Sequence, residues 1–193
     1  MKYSRSHLLS LLPVKQERLL VDLGCGTRKK EGYLGVDVRQ LPGVDVVVDL
    51  EKGLRFEDNS VDGVYSNFMF EHVSNLALLF QEVYRVCSNH AVVEIKVPHY
   101  QSVTQFKDPT HRSVVVPETI PYFSDANWYG SDYGFRANFK VLNVKYHYLP
   151  PFDRLLRRRY FFLFPLLYPF LMFGRRFLWN VVHSTTITIE AVK

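Results

Sequence analysis

Apolar positions in this chain fall into short runs separated by turn-forming residues, with one clear helical period between them. Arg18–Leu23 reads as a buried strand, followed by Tyr33–Asp37 and by Val44–Leu50 with its β-branched run Val46, Val47, Val48. A fourth strand, Val61–Ser66, is entered through the turn Glu57-Asp58-Asn59-Ser60. Ala91–Val97 is the fifth and ends at Pro98, which a strand tolerates only at its end. Asn138–Leu149 and the cleanly alternating Ser184–Val192 complete seven. Residues 5–12 predict a short helix around Leu8, Leu9, Leu11 and Leu12. Residues 74–87 predict a longer one, with Leu76, Leu79, Phe80, Val83, Tyr84 and Cys87 at helical spacing and Ser74 or Asn75 as N-cap. Residues 99–136 show no period. Strand and helix alternate through the first half, which is the pattern of an α/β fold with a mostly parallel sheet.

A chain of 193 residues suits one domain, 1–193, with residues 151–182 inserted between the last two strands. Its hydrophobic content of 47% supports a packed core and argues against disorder. The net charge of +5 changes the picture only once it is located. Arg154, Arg157, Arg158, Arg159, Arg175 and Arg176 stand against Asp153 alone in the insertion, so the rest of the chain is neutral. A basic face spread over the domain is thereby excluded, and nucleic acid is not expected as a partner. In the insertion the arginines bracket an apolar, aromatic stretch, Phe161–Phe173, broken by Pro165 and Pro169. It is too short to span a bilayer. Its composition fits an in-plane contact with a membrane surface, or a hairpin packed on the sheet or in a homodimer. Two cysteines, Cys25 and Cys87, and no convincing signal peptide fit a cytoplasmic protein, with the inner membrane surface as an alternative station.

The sharpest chemical signal is Leu20-Val-Asp-Leu-Gly-Cys-Gly-Thr27, a buried strand running into Gly24-Cys25-Gly26. Glycines there let the backbone turn tightly and lie close to a ligand. Ligands of open parallel sheets bind beyond the carboxyl ends of the strands. Asp22, Asp37 and Asp49 fall at three such ends, with Asp37 placed for ribose hydroxyls and Asp49 for an adenine edge. A nicotinamide dinucleotide would require G-x-G-x-x-G over a helix N-terminus. Here the third glycine position is Lys29, and only residues 24–32 separate the first two strands. That is too short for an ordinary crossover helix, so the first crossover is expected to shrink to about a turn. Arg28, Lys29 and Lys30 then fall near the pocket mouth, either there or as a solvated charge run.

The segments VDLGCG, GVD, DL and LRFEDNSVDGVYSNFMFEHV, in that order over residues 18–115, resemble the successive motifs of class I S-adenosylmethionine (SAM) dependent methyltransferases. The similarity is closest to the methyltransferase type 11-like group, with a D-x-G-x-G loop and a P-F-x-D-x-S-F-D turn before the fourth strand. The resemblance implies a Rossmann-like three-layer sandwich whose C-terminal strand is antiparallel and inserted beside strands five and six. It implies SAM as cofactor, with Asp22, Gly24, Cys25 and Gly26 around the methionine part. Asp37 would hold the ribose, with Val38 beside it. Asp49 and Leu50 would flank the adenine, and Ser66, Asn67 and Phe68 would close the site beside the sulfonium.

Candidates for the acceptor side follow strands four and five: Glu71 and His72, His99 and Tyr100, and Asp108, His111 and Arg112. An acceptor proton needs a base, and His99 or His111 is expected in that role, with Glu71 and His72 lining the same cleft. His72 could instead orient its loop, and Asp108 before Pro109 is a common turn. His99, Asp108 and His111 form a conceivable ligand set, but their spacing is loose and no metal is assigned. The stretch D-P-T-H-R followed by P-E-T-I-x-Y-F resembles a segment of a bacterial subset of these enzymes. The expected function is methyl transfer from SAM to a small-molecule, glycan or lipid-linked acceptor. The alternative is a non-catalytic SAM-fold binding protein or partner subunit.

Overall fold

The computed structural model describes residues 2–124, 133–149 and 179–193, with positions 169 and 173. Its elements are α1 (Arg5–Ser10), β1 (Leu20–Leu23), β2 (Leu34–Asp37), β3 (Val46–Val47), β4 (Val61–Asn67), α2 (Leu76–Val86), β5 (Cys87–Pro98), α3 (Val103–Phe106), β6 (Phe139–Tyr148) and β7 (Val182–Ala191). The strands form one sheet in the order β3-β2-β1-β4-β5-β7-β6. β3, β2, β1, β4 and β5 run parallel. β7 is antiparallel to both β5 and β6 and lies between them. This is the Rossmann-like methyltransferase arrangement that the motif order implied.

The order reverses at β1, which lies between β2 and β4. Such a switch point opens a crevice at the carboxyl ends of the strands. The first crossover holds no helix: residues 24–33 cross from β1 to β2 through turns. The helical layers are correspondingly thin, and α2 is the only α-helix longer than six residues among the described residues. Asn75 caps it, its side chain accepting from Leu78 N. Leu79, Phe80, Val83 and Val86 are its buried face. Phe80 stacks on Phe123 at 4.7 Å and meets Phe70 at 5.4 Å, which fastens the loops after β4 and α3 to the sheet.

Two expectations need correction. The third strand is two residues long rather than seven, and Asp49 does not close it. A turn at Pro42-Gly43, with Gly43 at φ +93°, delays its start. Asp49 then caps the 3-10 turn Leu50–Lys52, accepting from Glu51 N at 3.1 Å, so the chain leaves the edge of the sheet there. The stretch 99–136, expected to be irregular, contains α3 and the 3-10 turn Pro117–Phe123. Most of the arginine-rich insertion lies outside the described residues. At its border Trp179 (58% exposed) stacks on Phe106 (62% exposed) at 5.4 Å. Among the described residues no helix is long and apolar enough to cross a membrane.

Candidate active site

The loop after β1 is shaped by its backbone. Gly24 N and Cys25 N both donate to Val36 O, at 2.8 and 3.2 Å, folding the loop over the end of β2. Gly24 has φ +72°, and a Cβ there would lie 2.3 Å from Met69 Cγ, so this glycine is required by the close approach of Met69 as well as by its dihedral. Gly26, at φ +53°, faces open space, and its N–H donates to Asp37 Oδ2 at 3.0 Å. The other oxygen of Asp37 accepts from Arg39 N at 3.1 Å. A carboxylate offers about four lone-pair sites, so Asp37 keeps acceptor capacity on both oxygens at the mouth of the loop. Val38 beside it is 58% exposed, an apolar surface at the strand end.

The other cofactor-side residues divide by what they touch. Asp22 is buried, and its Oδ2 accepts from Lys30 N at 2.8 Å, bracing the turn that replaces the crossover helix. Burial raises its carboxyl above the ordinary range, against the Lys30 hydrogen bond. Burial likewise pushes the Cys25 thiol up to about 11, so it is no nucleophile at neutral pH. Ser66 is fully buried, and its hydroxyl donates to Leu23 O at 3.0 Å, locking the ends of β1 and β4 together. Asp49 pairs with Lys52 at 2.9 Å, and Leu50 is buried. Asn67 is exposed, and Phe68 takes φ +57°, uncommon for a residue with a side chain and frequent at functional sites. Lys29 and Lys30 are not free at the mouth: Lys29 pairs with Asp45 at 2.8 Å, and the Lys30 ammonium lies over the Tyr65 ring at 3.9 Å.

The acceptor-side candidates fall into two groups. His99, 4% exposed, lines a cleft of about 370 Å³ with Tyr100, Val115, Pro117, Glu118, Tyr146 and Thr185, at the carboxyl end of β5. Its Nδ1 accepts from Gln101 N at 3.3 Å, so the neutral ring carries its proton on Nε2. Glu71, His72 and His111 form the second group, at the end of β4, with one ligand atom from each within 4.8 Å of the others. Glu71 is fully buried, and neither of its oxygens has a hydrogen-bond partner among the described residues. Burial pushes its carboxyl up to about 7. His111 Nε2 lies 4.0 Å from Glu71 Oε1 and 3.9 Å from Asp108 Oδ2. Arg112 N and Ser113 N donate to Glu71 O, at 2.8 and 3.0 Å, stitching the two loops together.

Of the conceivable set His99, Asp108 and His111, to which no metal was assigned, Asp108 and His111 approach each other, while His99 lines the cleft. The carboxylate facing the imidazoles is Glu71, adjacent to His72 in sequence, and His99 belongs to the cleft. Met69 over Gly24, and Tyr146 and Thr185 in the cleft, were missed. Adjacency of Glu71 and His72 at a strand end was a usable signal for the cluster, whereas nothing local marks Tyr146.

The sheet order and the loop over β2 define the class I SAM-dependent methyltransferase fold. A family model described as a methyltransferase domain matches residues 36–95. No curated protein matches the chain. Among solved structures, an Archaeoglobus fulgidus SAM-dependent methyltransferase is similar at TM-score 0.57 and 18% identity, covering 96% of this chain and 92% of its own. A Mesorhizobium loti SAM-dependent methyltransferase is similar at TM-score 0.55 and 16% identity, covering 95% of each. Haemonchus contortus phosphoethanolamine N-methyltransferase 2, solved with SAM, is similar at TM-score 0.52 and 16% identity, covering 98% of this chain and 52% of that one. The chain thus shares the fold of class I SAM-dependent methyltransferases, and residues 36–95 are similar to their methyltransferase domain.

Proposed function

We propose that the chain transfers the methyl group of SAM to an oxygen or nitrogen of a small polar acceptor, free or carried on a glycan or lipid. One juxtaposition carries this reading. The glycine loop with Asp37 and the His99 cleft open on the same edge of the sheet, beyond the carboxyl ends of β1, β2 and β5.

When bound, SAM supplies a methyl group already activated on a cationic sulfur. The residues of this chain have to position, close and deprotonate. Gly24, Cys25 and Gly26 pass the methionine part close to the backbone, on a loop that Asp22 braces. Asp37 accepts the ribose hydroxyls with its remaining lone pairs. Val38, Asp49 and Leu50 border the adenine, and Asn67 and Phe68 cover the reacting end on a strand that Ser66 fastens. In transfer the acceptor's lone pair would form the new bond to carbon as the carbon–sulfur bond broke with its electron pair left on sulfur, and the acceptor's proton would pass to a base. His111 suits the base better than His99. Its Nδ1 donates to Gln105 O at 2.7 Å, which leaves the Nε2 lone pair facing the cluster of Glu71 and His72. Tyr100, Glu118 and Tyr146 offer the acceptor polar contacts within the cleft.

The insertion 151–182 is read as part of a single domain spanning 1–193. The exposed stack of Phe106 and Trp179 at its border favours an apolar partner there, a membrane surface or a second copy.

The test incubates purified chain and SAM with small-molecule, glycan and lipid extracts and follows mass. A gain of one CH2 unit in one pool is expected. Bound SAM with no gain in any pool would favour the non-catalytic partner subunit instead.

A further inference from the structure

We propose that Glu71, His72 and His111 bind one divalent transition-metal ion at the carboxyl end of β4. The argument begins with a carboxylate that has no partner. Glu71 is fully buried, and both of its oxygens lack a hydrogen-bond partner among the described residues. Buried polar groups are nearly always satisfied, and an unsatisfied carboxylate is among the costliest exceptions. His111 Nε2 lies 4.0 Å from it, a ring nitrogen of His72 lies within 4.8 Å of both, and the two rings meet edge to face with centroids 4.8 Å apart.

The second observation is how those imidazoles are held. His111 Nδ1 lies 2.7 Å from Gln105 O, which can only accept, so Nδ1 carries the proton and Nε2 the lone pair. Thr110 Oγ1 donates to Asp108 Oδ1 at 2.6 Å, so toward His72 Nδ1, at 3.0 Å, it acts as acceptor. His72 Nδ1 is therefore also protonated, and its Nε2 also bears the lone pair. Metal-bound histidines are fixed this way, the distal nitrogen donating to a carbonyl or hydroxyl so that the other presents its lone pair to the ion. Both histidines carry that outer bond without an ion.

The donor set and spacing suit a first-row cation. Two imidazoles and a carboxylate with an open side bind zinc, manganese or iron(II), and are too nitrogen-rich for magnesium or calcium. Around a tetrahedral ion with bonds of about 2.1 Å, ligand atoms stand about 3.4 Å apart. His111 Nε2 and Glu71 Oε1, at 4.0 Å, need to close by a fraction of an ångström, and the three ligand atoms together, within 4.8 Å of one another, by up to about 1.4 Å. Asp108 Oδ2, 3.9 Å from the same nitrogen on the more exposed side, is placed for a fourth position or for holding a bound water. On the methyl-transfer reading, on which this last step rests, His111 holds the ion instead of acting as the base: the open position takes the acceptor's hydroxyl and lowers its pKa so that its proton passes to solvent, and the substrate class is an oxygen acceptor.

The test uses the full chain stripped with chelator and titrated with MnCl2 or ZnCl2, with SAM titrated separately. Expected are one ion per chain with micromolar or tighter affinity and a weakening of at least 100-fold in Glu71→Gln and in His111→Gln, SAM affinity unchanged in all three. Should one variant fail to fold by circular dichroism, the other and His72→Gln decide. No wild-type binding of either ion up to millimolar concentration overturns the proposal, as does binding that all folded variants retain. Failure of SAM to bind while the metal binds would sink the methyl-transfer reading and leave the metal site standing.

Discussion

Glu71 and Glu82 stand 11 positions apart, the length of α2, and their surroundings are opposite. Glu82 accepts from Leu54 N at 2.8 Å and from Arg85 Nε and Nη2 at 2.7 and 2.8 Å. Arg85 in turn donates to Leu54 O, Phe56 O and Asp58. The Arg85 hydrogen bonds hold the Glu82 carboxyl below the ordinary range, against its burial. Glu71 is more deeply buried, has no donor among the described residues, and is pushed up to about 7 by that burial. Every polar atom of the first cluster is answered by another part of the fold, so its task is complete in the folded chain. The second is held by backbone bonds from Arg112 and Ser113, while the carboxylate itself has no donor among the described residues, the pattern of a functional rather than a structural acid.

The largest expected separation is in turnover. Glu71→Gln should lower methyl transfer to the acceptor found by mass screening by at least about 10²-fold, while leaving the melting temperature at pH 7 unchanged or higher. Glu82→Gln should leave turnover within about twofold and lower stability by about 2 kcal/mol, because it strips a half-buried guanidinium of its partner. The reverse pattern would show that Glu71 is the scaffold residue.

Next in size is the pH dependence, with opposite signs for the two acids. Glu71 is raised, so in chelator its contribution is fully present below about pH 4.3 and is lost as pH rises to about 7. The change is on the order of 3 kcal/mol and is absent in Glu71→Gln. Glu82 is lowered, so its contribution is present above about pH 4.3 and is lost as pH falls further, a limb that Glu82→Gln flattens. Denaturant unfolding of the three proteins between pH 3 and 8 reads both slopes, and parallel curves for wild type and Glu71→Gln would contradict the burial argument.

The smallest effect belongs to the exposed pair Lys52 and Asp49, whose side chains are 76% and 35% exposed. Lys52→Ala should change stability by less than about 0.5 kcal/mol. A larger loss in the same unfolding measurement would mean that surface charge, rather than burial, separates the two acids.

The same contrast shows what could be read from residue order. The strands, α2 and the glycine loop were legible because each is a local pattern: a β-branched run, a helical period, a strand meeting Gly24 and Gly26. The third strand was overread because three consecutive valines look like a strand, whereas Asp49 and the turn at Gly43 decide where an edge strand starts and stops. Glu71, His72, His99 and His111 were recognised as the acceptor-side candidates, but they could not be sorted. Which imidazole meets which carboxylate depends on the loop from Gln105 to Ser113 folding back onto Glu71 O, a long-range contact with no local signature. The Met69 side chain over Gly24 was invisible for the same reason.

The central claim, that the loop between β1 and β2 binds SAM, is tested most directly by calorimetric titration of wild type and Asp37→Ala with SAM, its demethylated product and NAD. Wild type should bind the first two and not NAD. Asp37→Ala should weaken SAM by about 1–3 kcal/mol, the cost of leaving ribose hydroxyls unpaired. Binding of NAD without SAM, or SAM binding indifferent to Asp37, would contradict the account.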